Sequence, residues 1–327
     1  MFQQLRSPSF SLQLLLPVIA FLPYLIFFFI DIPEPITHNA QGWIYHNWYI
    51  GISEKPWLFL ILGWVFNLVI AYSIYWLNIR FELIGKRTVY VSFFYCLLVL
   101  APLGFHRLHP GMLGGMFILF SLIFLFFVYH SKQTQANIFN SGFFWGMAVI
   151  IYPPFILMFP LYILSARYVK STRLKDFILL FTGLIVPILI WGAIIFLKGD
   201  FHFQWLSVLQ WAEIRTTWPP SLPGLPLLWY LFFGFIFLIL MFNVNQYRVK
   251  KDVGRRVLTI MVQLIWLSLA IFIVFERVSI EILWVAMVPL TFLFSVAAFN
   301  TKNYWKSDMV FIVFLIFMIV FQLNLVL

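Results

Sequence analysis

The carboxylate best placed to do chemistry in this chain is Asp31, which stands directly after an apolar run from Ser11 to Ile30. A low-dielectric neighbourhood raises a carboxyl pKa towards the range of a usable general base. On position alone, a solvated charge at a helix end is the plainer account of it. Glu34 lies in the same loop and is the second candidate. Two arginines suit phosphate, because a guanidinium grips an oxyanion with two parallel N–H groups. Arg107 sits between His106 and His109, ahead of Pro110, and Arg277 follows Glu276. Interfacial anchoring, or a local Glu276–Arg277 pair, is the plainer reading of each. His109 completes the polar group around Arg107 as a candidate substrate-binding residue. Trp205 and Trp211 lie in the loop KGDFHFQWLSVLQWAEIRTTWPPSLPG, where indole faces either stack on a sugar or anchor among lipid headgroups.

Other chemistries lack support in these residues. His106 and His109 are three apart and would share a helix face, but Arg107 between them repels a cation, so no zinc site is expected, and a divalent metal has no support in the sequence. Cys96 is the single cysteine, which excludes an intrachain disulfide and a cysteine-built cluster. No Walker loop, Rossmann glycine pattern, HExxH or GxSxG occurs, and no cofactor is expected. The run Gly111-Met112-Leu113-Gly114-Gly115 reads as close helix packing rather than a phosphate cradle.

The elements that must position these residues follow from composition. Of 327 residues, 63% are hydrophobic and 10% charged, against about a quarter charged in a soluble domain. That imbalance, with repeated apolar runs long enough to cross hydrocarbon, indicates an all-α polytopic membrane protein. Residues 1–327 read as a single integral membrane domain, with outer loops 31–56 and 198–224 inside it. The spans read as Ser11–Ile30, Trp57–Asn78, Val89–Phe105, Gly111–Tyr129, Phe177–Leu197, Leu225–Phe242, Val257–Phe275, Ile280–Phe299 and Met309–Leu327. The stretch from Ser141 to Ala166 contains Tyr152-Pro153-Pro154. Consecutive prolines remove two backbone donors and drive the preceding residue out of helix. A break there makes a hairpin of two half-length helices and brings the total to about eleven membrane segments.

Charge supports that count. With the amino terminus cytoplasmic, sixteen basic residues fall inside and five (Lys55, Arg107, Lys198, Arg215 and Arg277) fall outside, the bias of the positive-inside rule. The carboxyl terminus then faces the periplasm. The net charge of +10 belongs to short loops, so it reads as topology and contact with anionic membrane lipids, not nucleic-acid binding. Asp31, Glu34, Glu54, Asp200, Glu213, Glu276 and Glu281 gather at the outer face, with five of the six histidines. Any functional surface is expected there. The segment from His38 to Ile52 has the pattern of an interfacial amphipathic helix.

This arrangement resembles the GT-C superfamily of polytopic glycosyltransferases. Asp31 occupies the position of that superfamily's catalytic carboxylate. Ser141 to Ala148, leading to Tyr152-Pro153-Pro154, is similar to its glycine-containing half-helix, and Arg277 ahead of Pro289 resembles a late arginine-then-proline pattern. The resemblance implies a GT-C-like helical bundle that takes a sugar from a polyprenyl phosphate on the outer face. Asp31 would be the base, Arg277 or Arg107 would meet the phosphate, and the loop tryptophans would hold the sugar. More narrowly, Arg80-Phe81-Glu82-Leu83, Gly85-Lys86-Arg87-Thr88, His109-Pro110 and Ser141 to Pro153 look like an uncharacterised inner-membrane protein family of Bacteroidota. A non-enzymatic subunit bound to an envelope protein partner, or a lipid or solute transporter, also fits the composition. Transport is the weaker of the two, since no internal repeat is evident and few charges fall within spans.

Overall fold

A computed structural model describes residues 55–84, 90–100, 108–129, 133–168, 174–197, 212–216 and 252–300, with single positions 234, 312 and 316. Within them are eight α-helices: α1 (Pro56–Phe81), α2 (Tyr90–Leu100), α3 (Pro110–Phe127), α4 (Thr134–Ile151), α5 (Phe159–Tyr168), α6 (Leu174–Leu197), α7 (Asp252–Val274) and α8 (Trp284–Asn300). Short 3-10 helices, Pro153–Met158 and Ile280–Leu283, precede α5 and α8. Among the described residues no strand forms beyond one isolated bridge, Ile214 to Phe275. Among the described residues four helices are long and apolar enough to cross a membrane: Trp57–Phe81, Pro110–Phe127, Leu174–Leu197 and Val253–Val274. That is fewer than the eleven segments expected. Ser11–Ile30, Leu225–Phe242 and Met309–Leu327 lie outside the described residues, as does the interfacial helix expected over 38–52.

The centre is formed by α3 and α8. α3 is buried along most of its length, and every residue from Glu281 to Val296 is buried. α2, α4 and α7 pack around that pair, α1 lies on α2, and α6 lies on α4. The outer helices keep wide apolar faces, with Leu174, Ile178, Leu189, Phe196 and Leu197 of α6 all exposed. Such a face suits hydrocarbon, in which a helix satisfies its own backbone and needs no polar surface.

The stretch from Ser141 to Ala166 does reverse at its prolines. Tyr152 ends α4 in an extended conformation (φ −138°, ψ 91°), as a residue before proline must. The Trp145 and Tyr162 rings then stack with centroids 4.4 Å apart, where one straight helix would separate them by about 25 Å. Ser121 Oγ of α3 donates to the Ser141 carbonyl at 2.6 Å and accepts from the Tyr162 hydroxyl at 2.6 Å. The first limb is longer than the half-helix expected, because α4 begins at Thr134 and runs for 18 residues. The return limb ends where Arg256 Nη1 (3.0 Å) and the Tyr129 hydroxyl both donate to the Tyr168 carbonyl. Glycine sets the spacing of the hairpin against α6. Any side chain at Gly142 would strike the Leu180 carbonyl, and one at Gly183 the Phe139 carbonyl. This is the close backbone approach that small residues four apart allow, here at Gly142 and Gly146.

Candidate functional site

Two ionisable side chains buried within the apolar bundle, His109 and Glu281, meet at the Pro110 end of α3. His109 is the residue before Pro110, so its backbone is extended (φ −133°, ψ 159°) and it caps α3 rather than joining it. His109 is thus outside the helix, and His106, expected to share a helix face with it, lies outside the described residues. His109 Nδ1 accepts the Met112 amide at 3.1 Å, an amide that also faces the His109 carbonyl at 3.1 Å. Accepting at Nδ1 leaves the ring proton on Nε2. Complete burial holds the imidazole well below the ordinary histidine value, so it is neutral.

Facing it is Glu281, in the 3-10 turn that leads into α8. Its side chain is 5% exposed, and Oε2 lies 3.8 Å from His109 Nδ1. Neither carboxyl oxygen has a hydrogen-bond partner. The approach is close because Gly111 has no side chain: a Cβ there would lie 2.5 Å from the Glu281 carbonyl oxygen. Ser279 and Tyr152 share a hydroxyl–hydroxyl hydrogen bond of 3.2 Å beside the same carboxyl. Trp284 closes the wall. Its ring meets His109 edge-on at 6.3 Å and Tyr95 at 6.2 Å, and its buried indole N–H has no acceptor.

The turn that precedes this cluster is strapped. Arg215 N donates to the Val274 carbonyl (2.8 Å) and Glu276 N to the Glu213 carbonyl (3.0 Å), tying 213–215 to the end of α7. Arg215 Nη2 reaches the carbonyls of Phe272 (3.4 Å) and Phe275 (3.2 Å), and its cation caps the negative end of α7. Arg277 Nε pairs with Glu213 Oε2 at 2.6 Å. The partner of Arg277 is therefore Glu213, from the second long loop, and not its neighbour Glu276. The Glu276 carboxylate instead accepts from the Thr216 amide at 3.2 Å.

Of the expected site residues, His109 is in the buried cluster and Arg277 is on the turn four positions before Glu281. Asp31, Glu34, Arg107, Trp205 and Trp211 lie outside the described residues. In the sequence Glu281 is one of seven acids at the outer face, with nothing local that marks a role. Its signal was an acid opening an apolar run, where a solvated helix-end charge is the ordinary outcome. Tyr152 was visible only as the residue before two prolines. Among the described residues, no three His, Cys, Asp or Glu side chains converge as a metal site would require. The cluster offers one carboxyl, one neutral imidazole, two hydroxyls and an indole N–H, a set suited to holding or moving a proton.

No curated protein and no solved structure matches the chain. The model of one family matches residues 52–326, which takes in every described helix and both halves of the buried cluster. The chain thus belongs to the family of unknown function DUF6427.

Proposed function

We propose that this protein is a GT-C-like glycosyltransferase of the bacterial inner membrane, taking its sugar from a polyprenyl-phosphate donor on the outer face. The proposal includes about eleven segments, a cytoplasmic amino terminus and a periplasmic carboxyl terminus. The observation that supports it best is the placing of Arg277 on the turn that enters the Glu281–His109 cluster, with the second long loop held to that turn by Glu213. Arg277 and Glu281 thereby lie on one continuous segment, and His109 is brought against it from the start of α3.

In this reading an acceptor hydroxyl loses its proton to Asp31, with Glu34 as the neighbouring carboxylate, and its oxygen attacks the anomeric carbon. The bond from that carbon to the phosphate oxygen breaks, and polyprenyl phosphate leaves with the electron pair. Arg277, exchanging Glu213 for phosphate, or Arg107 stabilises the charge that develops on the leaving group. His109, Trp205 and Trp211 position the sugar. The test is transfer of labelled sugar from a panel of polyprenyl-phosphate hexoses by the full chain in lipid nanodiscs, supplied with an envelope extract as acceptor. Wild type is expected to turn over, and Asp31→Asn to insert normally but fail. Wild-type protein that releases polyprenyl phosphate from no donor would overturn the proposal.

One observation favours a second reading, proton-coupled transport. An ionisable residue buried in an apolar bundle often belongs to a substrate or proton pathway, and Glu281 is such a residue. Proton-dependent solute uptake into vesicles, lost in Glu281→Gln, would support that reading over sugar transfer.

A further inference from the structure

Glu281 presents an unresolved charge problem. Its carboxyl is buried, both oxygens lack hydrogen-bond partners, and the basic group it faces, His109, is neutral because Nδ1 already accepts an amide proton. An ionised carboxylate there would be an uncompensated charge in apolar surroundings, which proteins avoid by pairing or neutralising the group. The remaining groups around it are uncharged: the Gly111 amide and the Ser279 hydroxyl, both directed towards the carboxyl without closing to a full hydrogen bond, and the Tyr152 hydroxyl. The amino-terminal end of α3 favours negative charge, but a helix dipole offsets only part of the cost of burial. The charges on the preceding turn are committed elsewhere, Arg277 to Glu213 and Glu276 to Thr216.

We propose that Glu281 and His109 form a proton-binding site, holding one exchangeable proton on the Glu281 carboxyl and directing it at His109 Nδ1. The geometry accommodates this with little movement. Oε2 is 3.8 Å from Nδ1, and a closure of about 1 Å makes an O–H···N hydrogen bond. Nδ1 can turn from the Met112 amide to this donor at small cost, because that amide keeps the His109 carbonyl at 3.1 Å. The ligand is a proton and the bond that breaks on release is the carboxyl O–H, so no other reactant is needed. The site stands whether or not sugar transfer is the reaction.

Infrared difference spectroscopy of the full chain in lipid nanodiscs tests it. Wild type at neutral pH is expected to show the carbonyl stretch of a protonated carboxyl. The band should shift in D2O and on carboxyl labelling of glutamate, and disappear on strong alkalinisation. Glu281→Gln should abolish it, and His109→Ala should move it to higher frequency by removing the acceptor. The absence of a protonated-glutamate band in wild type overturns the proposal, as does a band that survives Glu281→Gln. A band unmoved in His109→Ala also overturns it, since the proton would then not be shared. Should Glu281→Gln fail to insert, the labelled wild-type spectrum and its alkaline titration still decide whether a buried glutamate carries the proton. None of these readings depends on activity, so they separate this site from the proposed transferase.

Discussion

Replacing Gly111 by alanine tests whether the close contact between α3 and the turn before α8 builds the site. A Cβ at Gly111 would lie 2.5 Å from the Glu281 carbonyl oxygen, 2.9 Å from its carbonyl carbon and 2.9 Å from its Cβ. Two of those atoms are backbone and the third is fixed to it, so no flexible side chain can swing away. Overpacking of this kind costs about 1–3 kcal/mol. Alanine returns about 0.4–1 kcal/mol by restricting the unfolded chain, so the net loss lies between about 0 and 2.6 kcal/mol, while the loss relative to a glycine that gains the same restriction without a clash is about 1–3 kcal/mol. Gly192 in α6 supplies the control, because a Cβ there meets nothing within 4 Å. Gly192→Ala should be neutral or slightly stabilising, and the difference between the two variants isolates the clash. Denaturant titration of the reconstituted protein, followed by tryptophan fluorescence, measures both. If Gly111→Ala proves as stable as Gly192→Ala, the backbone of α3 does not set the position of Glu281, and the reasoning about the site fails.

Two further outcomes follow from the same geometry. The Glu213–Arg277 pair is short but partly exposed, so a double-mutant cycle of Glu213→Gln and Arg277→Gln should give a coupling of about 0.2–1 kcal/mol that falls with salt; a larger, salt-insensitive coupling would mean the strap is buried. His109 is held at about 3 against an ordinary 6.5 by burial, so the folded protein binds fewer protons than the unfolded chain between those values. Its contribution is full above 6.5 and is lost as pH falls towards 3. Denaturant midpoints measured across that window should decline in wild type and decline less in His109→Asn, and equal slopes in the two would contradict a buried neutral imidazole.

Much of the helical plan was legible from local chemistry. The apolar runs read as Trp57–Asn78, Gly111–Tyr129, Phe177–Leu197 and Val257–Phe275 correspond to α1, α3, α6 and α7 within a few residues, because a run too apolar for water and too long for a core helix has few other uses. The expected break at Tyr152-Pro153-Pro154 rests on backbone sterics confined to those residues, and it is where α4 ends. The expectation that Gly111–Gly115 mediates close packing holds for the same kind of reason: Gly111 meets Glu281, Gly114 meets Phe155 and Gly115 meets Trp284.

The site was much less legible. In the sequence His109 stands out through its neighbours Arg107 and His106, yet what matters about it is the extended backbone that Pro110 imposes and the carboxyl it then faces across 172 positions of chain. Arg277 carried no mark of its partner, because Glu213 arrives from a loop whose register against α7 is set by the bridge between Ile214 and Phe275. By itself, then, the sequence determined the membrane-compatible helical class, the extents of the long apolar helices and the place where the hairpin turns, all consequences of hydropathy and local backbone sterics. The tertiary structure alone decided which polar groups are buried together. A carboxyl one residue into an apolar run reads as a solvated helix end until packing on Gly111 removes the water, and that loss of water is a property of the assembled bundle.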